Sequence, residues 1–114
     1  MGDCIFCKIA SGEIPSPRIY ENDHVIAIDD IHPVSKVHAL IISKRHIESI
    51  VSLDPLEAGL LQGVQEAVLE VAKIKGIAES GFRMITNSGG DGRQTVPHLH
   101  YHIIGGQKLG VKIM

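Results

Sequence analysis

Short apolar runs bounded by turn residues divide much of the chain into strand-like segments. These β-prone runs predict strands over residues 18–21, 25–29, 38–43, 82–87 and 98–104. Asn22-Asp23 separates the first two runs and predicts a hairpin turn between them. The third run, His38-Ala-Leu-Ile-Ile-Ser43, is apolar enough to predict a central strand.

Two further segments carry helical signals. Residues 4–10 predict a short helix that ends at Ser11-Gly12, because glycine readily adopts the left-handed conformation just past a helix end. A longer helix is predicted to begin at Asp54-Pro55, with Asp54 as its cap and Glu57 three residues later, and to end at Gly76. An apolar stripe along it must pack on the sheet: Leu56, Leu60, Val64, Ala67, Val71 and Ile74.

These elements predict an α+β fold with an antiparallel meander sheet of about five strands, one long helix and one short helix. No linker rich in proline or serine, no charge block and no internal repeat divides the 114 residues of the sequence. A single domain spanning residues 1–114 is therefore expected.

Composition and charge exclude several classes of protein. With 44% hydrophobic and 21% charged residues, the chain is not disordered, and its net charge of -2 favours no nucleic acid polymer as a partner. Lys8 and Glu13 interrupt the apolar residues near the N-terminus, so neither a signal peptide nor a membrane segment is expected there. The only two cysteines lie three residues apart, which is typical of a metal or redox pair in a reducing compartment. We expect a soluble cytoplasmic protein.

Three histidines alternate with apolar residues near the end of the chain. In a strand, His98, His100 and His102 share one face, and the residues between them share the other. A surface location without function explains three strictly alternating histidines poorly. Imidazole serves well both as a metal ligand and as a nucleophile, so either role explains the pattern better. Spacing alone leaves these two roles open. His24 and His32 have no such company and are predicted to be turn residues.

A glycine-rich loop precedes the histidines. It offers unhindered backbone N–H groups, amide and hydroxyl donors and a cation, in Asn87, Gly89, Gly90, Gly92, Arg93, Gln94 and Thr95. A loop of this kind can be a simple turn between strands. Together with the histidines, however, it favours a phosphate site served by a nucleophilic histidine.

Cys4 and Cys7 form a CxxC pair that lacks obvious partners in sequence. Zinc takes four nitrogen or sulfur ligands, and His46 and His98, at predicted strand ends, complete a Cys2His2 set. A thioredoxin-like redox pair is a weaker interpretation, because no strand precedes the motif. Two buried, unpaired cysteines remain the third interpretation.

The motifs just described occur together and in a characteristic order. The alternating His98, His100 and His102 resemble the signature of the histidine triad family, and the opening Cys4-Ile-Phe-Cys7-Lys-Ile resembles its zinc-binding prokaryotic members. The resemblance covers nearly the whole chain. It extends to Asp30-Ile31, Pro33, His38-Ala-Leu40, Lys44-Arg45-His46-Ile47, Asn87 and Thr95-Val-Pro-His98.

The resemblance implies the histidine triad fold and a nucleotide hydrolase or transferase that acts at the α-phosphate of a purine nucleoside monophosphate, such as AMP or GMP. His100 would be the nucleophile, with its other ring nitrogen oriented by a backbone carbonyl. His102 would hold the phosphate oxygens, and His38 would support the triad. A structural zinc ion on the Cys2His2 set and a homodimer are also implied.

The same resemblance implies a nucleotide-binding pocket. Asp30 would accept hydrogen bonds from the ribose hydroxyls, and an apolar wall would enclose the base, formed by Phe6, Ile9, Ile14, Ile31 and Leu40. Polar contacts to the phosphate and the leaving group would come from Asn87, Gln94, Thr95 and Val96.

Two positions bear on the substrate. Relatives specialised for dinucleoside polyphosphates usually have glutamine at the third triad position, so His102 favours purine nucleoside phosphoramidates. Arg93 stands where phosphoramidate-hydrolysing relatives often carry glycine, which concerns the leaving-group side. The alternatives are a dinucleoside polyphosphate hydrolase and a non-catalytic nucleotide-binding adaptor.

Overall fold

A five-stranded antiparallel sheet forms the centre of the computed structural model, which describes residues 4–111. Its strands are β1 Arg18–Glu21, β2 Val25–Asp29, β3 Val37–Ser43, β4 Phe82–Ile85 and β5 His100–Gly105. They lie in the order β1-β2-β3-β5-β4. The predicted α+β class with an antiparallel sheet of five strands is thus confirmed, and β3 is an interior strand as expected.

The meander order holds only as far as β3. β5 returns between β3 and β4, so β4 lies at the edge of the sheet. This arrangement has a physical reason, because nearly all of β5 is buried whereas every residue of β4 keeps some exposure. A strand that is buried on both faces is stabilised by a hydrogen-bonded neighbour at each edge.

Within residues 4–111, the sheet is accompanied by two α-helices and one 3₁₀ turn: α1 Ile5–Ser11, the turn Ile50–Ser52 and α2 Ala58–Ile74. α1 follows the prediction, because the Cys4 side chain accepts a hydrogen bond from the Cys7 amide and Gly12 ends the helix at φ 86°. No helix within the described residues is long and apolar enough to cross a membrane.

α2 begins three residues later than predicted, with Glu57 in place of Asp54 at the cap position. The side chain of Asp54 accepts a hydrogen bond from the Leu56 amide and its carbonyl accepts one from Glu57, so Asp54 closes a separate turn instead of capping the helix. Leu56 is consequently 89% exposed and lies outside the apolar stripe. Ile74, at the other end of the stripe, is also exposed, whereas the four residues between them are buried as expected.

Each face of the sheet carries its own apolar cluster. On one face, α2 packs over the side chains of β2 and β3, with Ala39, Ile41, Tyr101 and Ile103 in the cluster. On the other face, Phe6 and Ile9 of α1 pack on Ile26, Ile28, Leu40 and Ile42. Alternation along β3 therefore supplies both clusters, and β5 continues the pattern with its histidines on the α1 face.

The two strands that flank the glycine-rich loop have different boundaries from those predicted. β4 ends at Ile85, two residues early, and β5 begins at His100, two residues late. His98 lies in the preceding turn, where its amide donates to the Val96 carbonyl at 2.8 Å. The next amide, that of Leu99, donates to the Ile47 carbonyl at 2.6 Å, which ties the turn to the segment after β3.

Candidate functional site

A cavity of about 410 Å³ lies on the α1 face of the sheet. A volume of this size accommodates a small organic ligand. Its lining is apolar on the α1 side and polar towards β5, and comprises Ile5, Phe6, Ile9, Ile14, Pro15, Ser16, Ile28, Asp29, Asp30, Ile31, His32, Leu40, Thr95, Val96, His100 and His102.

Most of the residues predicted to bind nucleotide meet at this cavity. All of them line it except Asn87 and Gln94, and two of the three predicted catalytic histidines, His100 and His102, do so as well. The third, His38, lies directly behind His102. The β3–β5 register explains this, because Leu40 is paired with His102 and His38 lies two residues before Leu40 on the same face.

Asn87 and Gln94 brace the glycine-rich loop. The Asn87 side-chain amide donates to the Gly92 carbonyl at 2.7 Å. The Gln94 side chain accepts from the Gly89 amide at 2.9 Å and donates to the carbonyls of Glu48 and Val96. Their observed contacts therefore shape the loop that presents Thr95 and Val96 to the cavity.

Several lining residues escaped the sequence analysis. Ile28 could have been found, since alternation along β2 places it on the same face of the sheet as Ile26, the face that α1 covers. Ser16, between two prolines, gave no signal. His32 was predicted to be only a turn residue; it occupies a turn, where its amide donates to the Asp30 side chain at 2.7 Å, and it also lines the cavity.

His100 has one ring nitrogen committed and one free. Nδ1 lies 2.7 Å from the His98 carbonyl oxygen, which can only accept, so Nδ1 carries the proton. In the neutral ring, Nε2 then holds an unshared electron pair. The ring is 5% exposed and stands edge-on to Phe6, with the ring centres 4.9 Å apart. These contacts hold an unprotonated ring nitrogen in a fixed orientation beside the cavity.

His102 belongs to a short chain of hydrogen bonds. The Val34 amide donates to His38 Nδ1 at 3.1 Å, so a neutral His38 carries its proton on Nε2. That nitrogen lies 2.9 Å from His102 Nδ1, which therefore accepts and leaves a proton on His102 Nε2. Burial, followed by the neighbouring His100 and His38, lowers the pKa of His102 to about 4. His102 is thus a neutral hydrogen-bond donor at physiological pH.

Asp30 adjoins the same chain, with a carboxylate oxygen 3.4 Å from His38 Nε2. Ligand atoms of Asp30, His38 and His102 lie within 4.8 Å of one another, a grouping that could hold a metal ion. The Val34 amide argues against this, because it keeps the proton on the very nitrogen that would have to bind the metal. The three residues are better described as a hydrogen-bonded chain.

A second cluster contains all four predicted metal ligands, Cys4, Cys7, His46 and His98. Cys4 Sγ lies 3.2 Å from His98 Nδ1, and Cys7 Sγ lies 3.2 Å from His46 Nδ1 and 3.5 Å from His98 Nδ1. A tetrahedral zinc site has sulfur and nitrogen ligands about 3.5 Å apart. The cluster could therefore hold a metal ion, and zinc fits its donor set.

The surroundings of His98 suit metal binding as well. Its Nε2 lies 2.7 Å from the Ser43 carbonyl, which fixes the proton there and leaves Nδ1 free towards the cysteines. Burial lowers the pKa of His98 and so keeps the ring neutral. Burial and then the neighbouring Cys4 raise the pKa of the Cys7 thiol, whereas a bound cation would favour the thiolate.

Known proteins share this architecture. A family model described as the HIT domain matches residues 11–109. Protein HitA of Neisseria gonorrhoeae is 41% identical over 105 residues, which cover 92% of this chain and 97% of that protein. A HIT family hydrolase from Clostridium thermocellum superimposes with a TM-score of 0.94 at 46% identity, covering 100% of this chain and 99% of that one. A histidine triad nucleotide-binding protein from Candida albicans gives 0.81 at 28% identity, covering 98% and 86%.

The fold and the site together define a class of small α+β proteins in which a central strand presents histidines to an apolar cavity. The matches in sequence and structure identify the family within this class. The chain belongs to the HIT family, as the sequence resemblance indicated.

Proposed function

We propose that this protein is a nucleotide hydrolase that cleaves purine nucleoside phosphoramidates through a covalent nucleotidyl intermediate on His100. The observation that carries the proposal is the hydrogen bond from His100 Nδ1 to the His98 carbonyl, which leaves Nε2 unprotonated beside the cavity. Imidazole is an effective nucleophile towards phosphorus only in this form. The Clostridium thermocellum relative, a HIT family hydrolase by name, supports the reaction class.

The cavity suits the nucleoside. Its apolar wall, built from α1, the end of β2 and the middle of β3, would enclose the purine, and Asp30 would accept hydrogen bonds from the ribose hydroxyls. These contacts would bring the α-phosphate to His100 and His102. The name of the Candida albicans relative, a nucleotide-binding protein, agrees with this assignment.

The reaction would proceed in two steps. His100 Nε2 attacks phosphorus, the phosphorus–nitrogen bond breaks, and the amine leaves with a proton taken from solvent. Water then attacks the nucleotidyl-histidine, which releases the nucleoside monophosphate, restores His100 and returns a proton to solvent. His102 Nε2–H would donate to a phosphate oxygen throughout and stabilise the developing charge.

Replacing His100 tests the proposal. We expect His100→Asn to reduce turnover of an adenosine phosphoramidate by several orders of magnitude, because the variant lacks the nitrogen that would form the adduct. AMP should still bind within about tenfold of the wild-type affinity. Mass spectrometry of neutral-quenched wild-type protein should locate the nucleotidyl group on His100, and His102→Gln should be slower but still form it. Normal turnover by His100→Asn, or an adduct elsewhere, would contradict the mechanism.

A dinucleoside polyphosphate hydrolase is the second candidate. Arg93 favours it, because this exposed cation lies two residues before Thr95, which lines the cavity, and could contact further phosphates. Initial rates on an adenosine phosphoramidate and on a diadenosine polyphosphate separate the two enzymes. A protein that binds AMP but turns over neither substrate would be a non-catalytic nucleotide-binding adaptor.

Cys4, Cys7, His46 and His98 would hold a zinc ion that stabilises the fold. Four protein ligands leave no open coordination position, so the ion would supply no catalysis. Protein purified without chelator should contain about one zinc per chain by elemental analysis. The Cys7→Ala variant should lose the metal and unfold at lower urea. Metal-free wild-type protein with full stability would contradict the assignment.

A homodimer accompanies this function in our proposal. Supporting it, Met84 on the edge strand β4 and Leu61 and Leu69 on α2 are exposed apolar side chains. Edge strands and exposed apolar surface are both covered when two copies associate.

A further inference from the structure

The helix α1 serves two sites at once. Cys4 caps the helix and Cys7 lies within it, and both belong to the group of four metal-ligand residues, hereafter the Cys/His cluster: Cys4, Cys7, His46 and His98. On the same helix, Ile5, Phe6 and Ile9 line the cavity. A helix of seven residues is unstable by itself in water, so its position depends on the groups that hold it to the sheet.

Different contacts hold the two ends of α1. At the C-terminal end, the Arg18 side chain donates to the carbonyls of Ile9 and Ala10 at 3.1 and 3.4 Å. At the N-terminal end, Cys4 and Cys7 contact His98 and His46, which come from outside the helix. The cluster is therefore the polar anchor of the N-terminal end, the end that carries Phe6.

Two paths lead from the cluster to the His100 ring. Phe6 stands edge-on to both histidines, with its ring centre 5.9 Å from that of His98 and 4.9 Å from that of His100. In addition, the carbonyl of His98 accepts the hydrogen bond that orients His100. Any shift of α1 or of His98 consequently changes the wall of the cavity and the support of the ring together.

We propose that metal binding at the Cys/His cluster and nucleotide binding in the cavity are thermodynamically coupled through α1, with Phe6 as the positioning residue that links them. The proposal rests on the function proposed above. It goes beyond a purely structural zinc ion, because coupling between two sites is reciprocal. Zinc tightens AMP binding, and AMP tightens zinc binding by the same factor.

Calorimetric titration of AMP into zinc-loaded and zinc-stripped protein measures the coupling directly. We expect AMP to bind the stripped protein at least about fivefold more weakly, at the lower end of known couplings. Competition with a chromogenic chelator, with and without saturating AMP, should give the same factor for zinc. Equal AMP affinities, or a zinc affinity that AMP leaves unchanged, would overturn the proposal.

Variants at position 6 test the link. Zinc-loaded Phe6→Leu lacks the aromatic edge but keeps the His98 carbonyl, so AMP should change its zinc affinity by a clearly smaller factor than in the wild type, even if AMP itself binds more weakly. Phe6→Tyr keeps the ring and should keep the wild-type factor. If Phe6→Leu retains the full factor while holding one zinc per chain, Phe6 is not the link and the proposal fails.

The Phe6→Leu variant also covers the case in which stripped protein unfolds: AMP would then tighten zinc binding through folding alone, the variant would keep the wild-type factor, and the proposal would fail. Circular dichroism of both forms establishes which case applies. A failure of the proposed function has a different signature: AMP would not bind even zinc-loaded wild-type protein. If AMP binds the loaded protein with an affinity that does not depend on zinc, only the coupling is contradicted and the proposed function is unaffected.

Discussion

Backbone groups decide which ring nitrogen carries the proton in His98, His100 and His38. The carbonyls of Ser43 and His98 take up one nitrogen of His98 and one of His100, and the Val34 amide does the same for His38. A carbonyl selects the protonated nitrogen and an amide selects the unprotonated one, so similar rings acquire different roles. The free electron pair on His98 Nδ1 faces the cysteines, and the one on His100 Nε2 belongs to the ring beside the cavity. His102 instead presents the proton on its Nε2.

The low pKa of His102 gives a prediction at this scale. Its pKa is about 4 in the folded protein and 6.5 for an ordinary histidine, so between these values the unfolded chain binds a proton that the folded protein does not. The free energy of unfolding should therefore fall as the pH falls from 6.5 to 4. For one proton the slope is at most about 1.4 kcal/mol per pH unit.

Urea unfolding of wild type and His102→Gln across this range isolates that proton, since glutamine does not titrate. Both proteins are compared in the same metal state, so that protons bound by the cluster cancel. We expect the wild-type slope to be the steeper one. Equal slopes would mean that His102 is protonated alike in both states.

The sequence predicted residue types at the site better than residue contacts. Alternation placed His100 and His102 on one face of a strand, and this follows from backbone geometry alone. Asn87 and Gln94 were predicted as ligand contacts, yet the loop uses their amides for its own carbonyls and amides. Which of two available partners an amide takes depends on loop conformation, which the sequence pattern does not specify.

At the scale of elements, the β1–β2 hairpin docks on α2 through glycine. The Asn22 side chain, which caps the hairpin turn, donates to the Gly63 carbonyl at 3.0 Å. A Cβ atom at Gly63 would lie 2.9 Å from His24 Cβ and 3.3 Å from the Asn22 side-chain oxygen. One turn earlier, a Cβ at Gly59 would meet only the outer ring atoms of His24, at 3.2 Å.

Alanine at these two glycines should therefore act in opposite directions. Both substitutions gain up to about 1 kcal/mol of helix propensity. At Gly63 the new methyl group meets atoms that cannot move without moving the hairpin, and overpacking of this kind costs about 1–3 kcal/mol. We expect Gly63→Ala to be destabilised and Gly59→Ala to be neutral or stabilised in urea unfolding. A Gly63→Ala variant as stable as Gly59→Ala would contradict this packing.

Element types were predictable, whereas several boundaries and the strand order were not. The stripe from Leu60 to Val71 identifies α2 because its spacing persists over several turns. Asp54 carries a valid helix-cap signal, but the same side chain can close a local turn, and here it does. The place of β5 between β3 and β4 depends on which edges remain free after the hairpins form, which is a property of the assembled sheet.

At the scale of the molecule, the two faces of the sheet have separate tasks. The α2 face holds the larger apolar cluster, with Val25, Ala27 and Ile41 fully buried. The α1 face holds the cavity and the Cys/His cluster, both of which depend on a short helix. The packing of α2 on one face can thus keep the strands stable without α1, while the opposite face presents the histidines to the cavity.

The α2 face also leaves a surface for a second copy of the chain. α2 packs mainly on β1, β2 and β3, so the part of this face that belongs to β4 is less covered, and Met84 there is 49% exposed. On α2 itself, Leu69 is 57% exposed. Burying such side chains is worth about 25 cal/mol per Å² of apolar surface, which favours association through this face.

Light scattering at micromolar concentration should therefore give a mass near twice 12.3 kDa. We expect Met84→Glu and Leu69→Glu to shift the protein towards the monomer, because each would bury a charge in the contact. Leu56→Glu is the matched control, since Leu56 is 89% exposed and lies outside both α2 and β4. A monomeric wild type, or a control that dissociates as readily as Met84→Glu, would show that the α2 face and the edge strand form no specific interface.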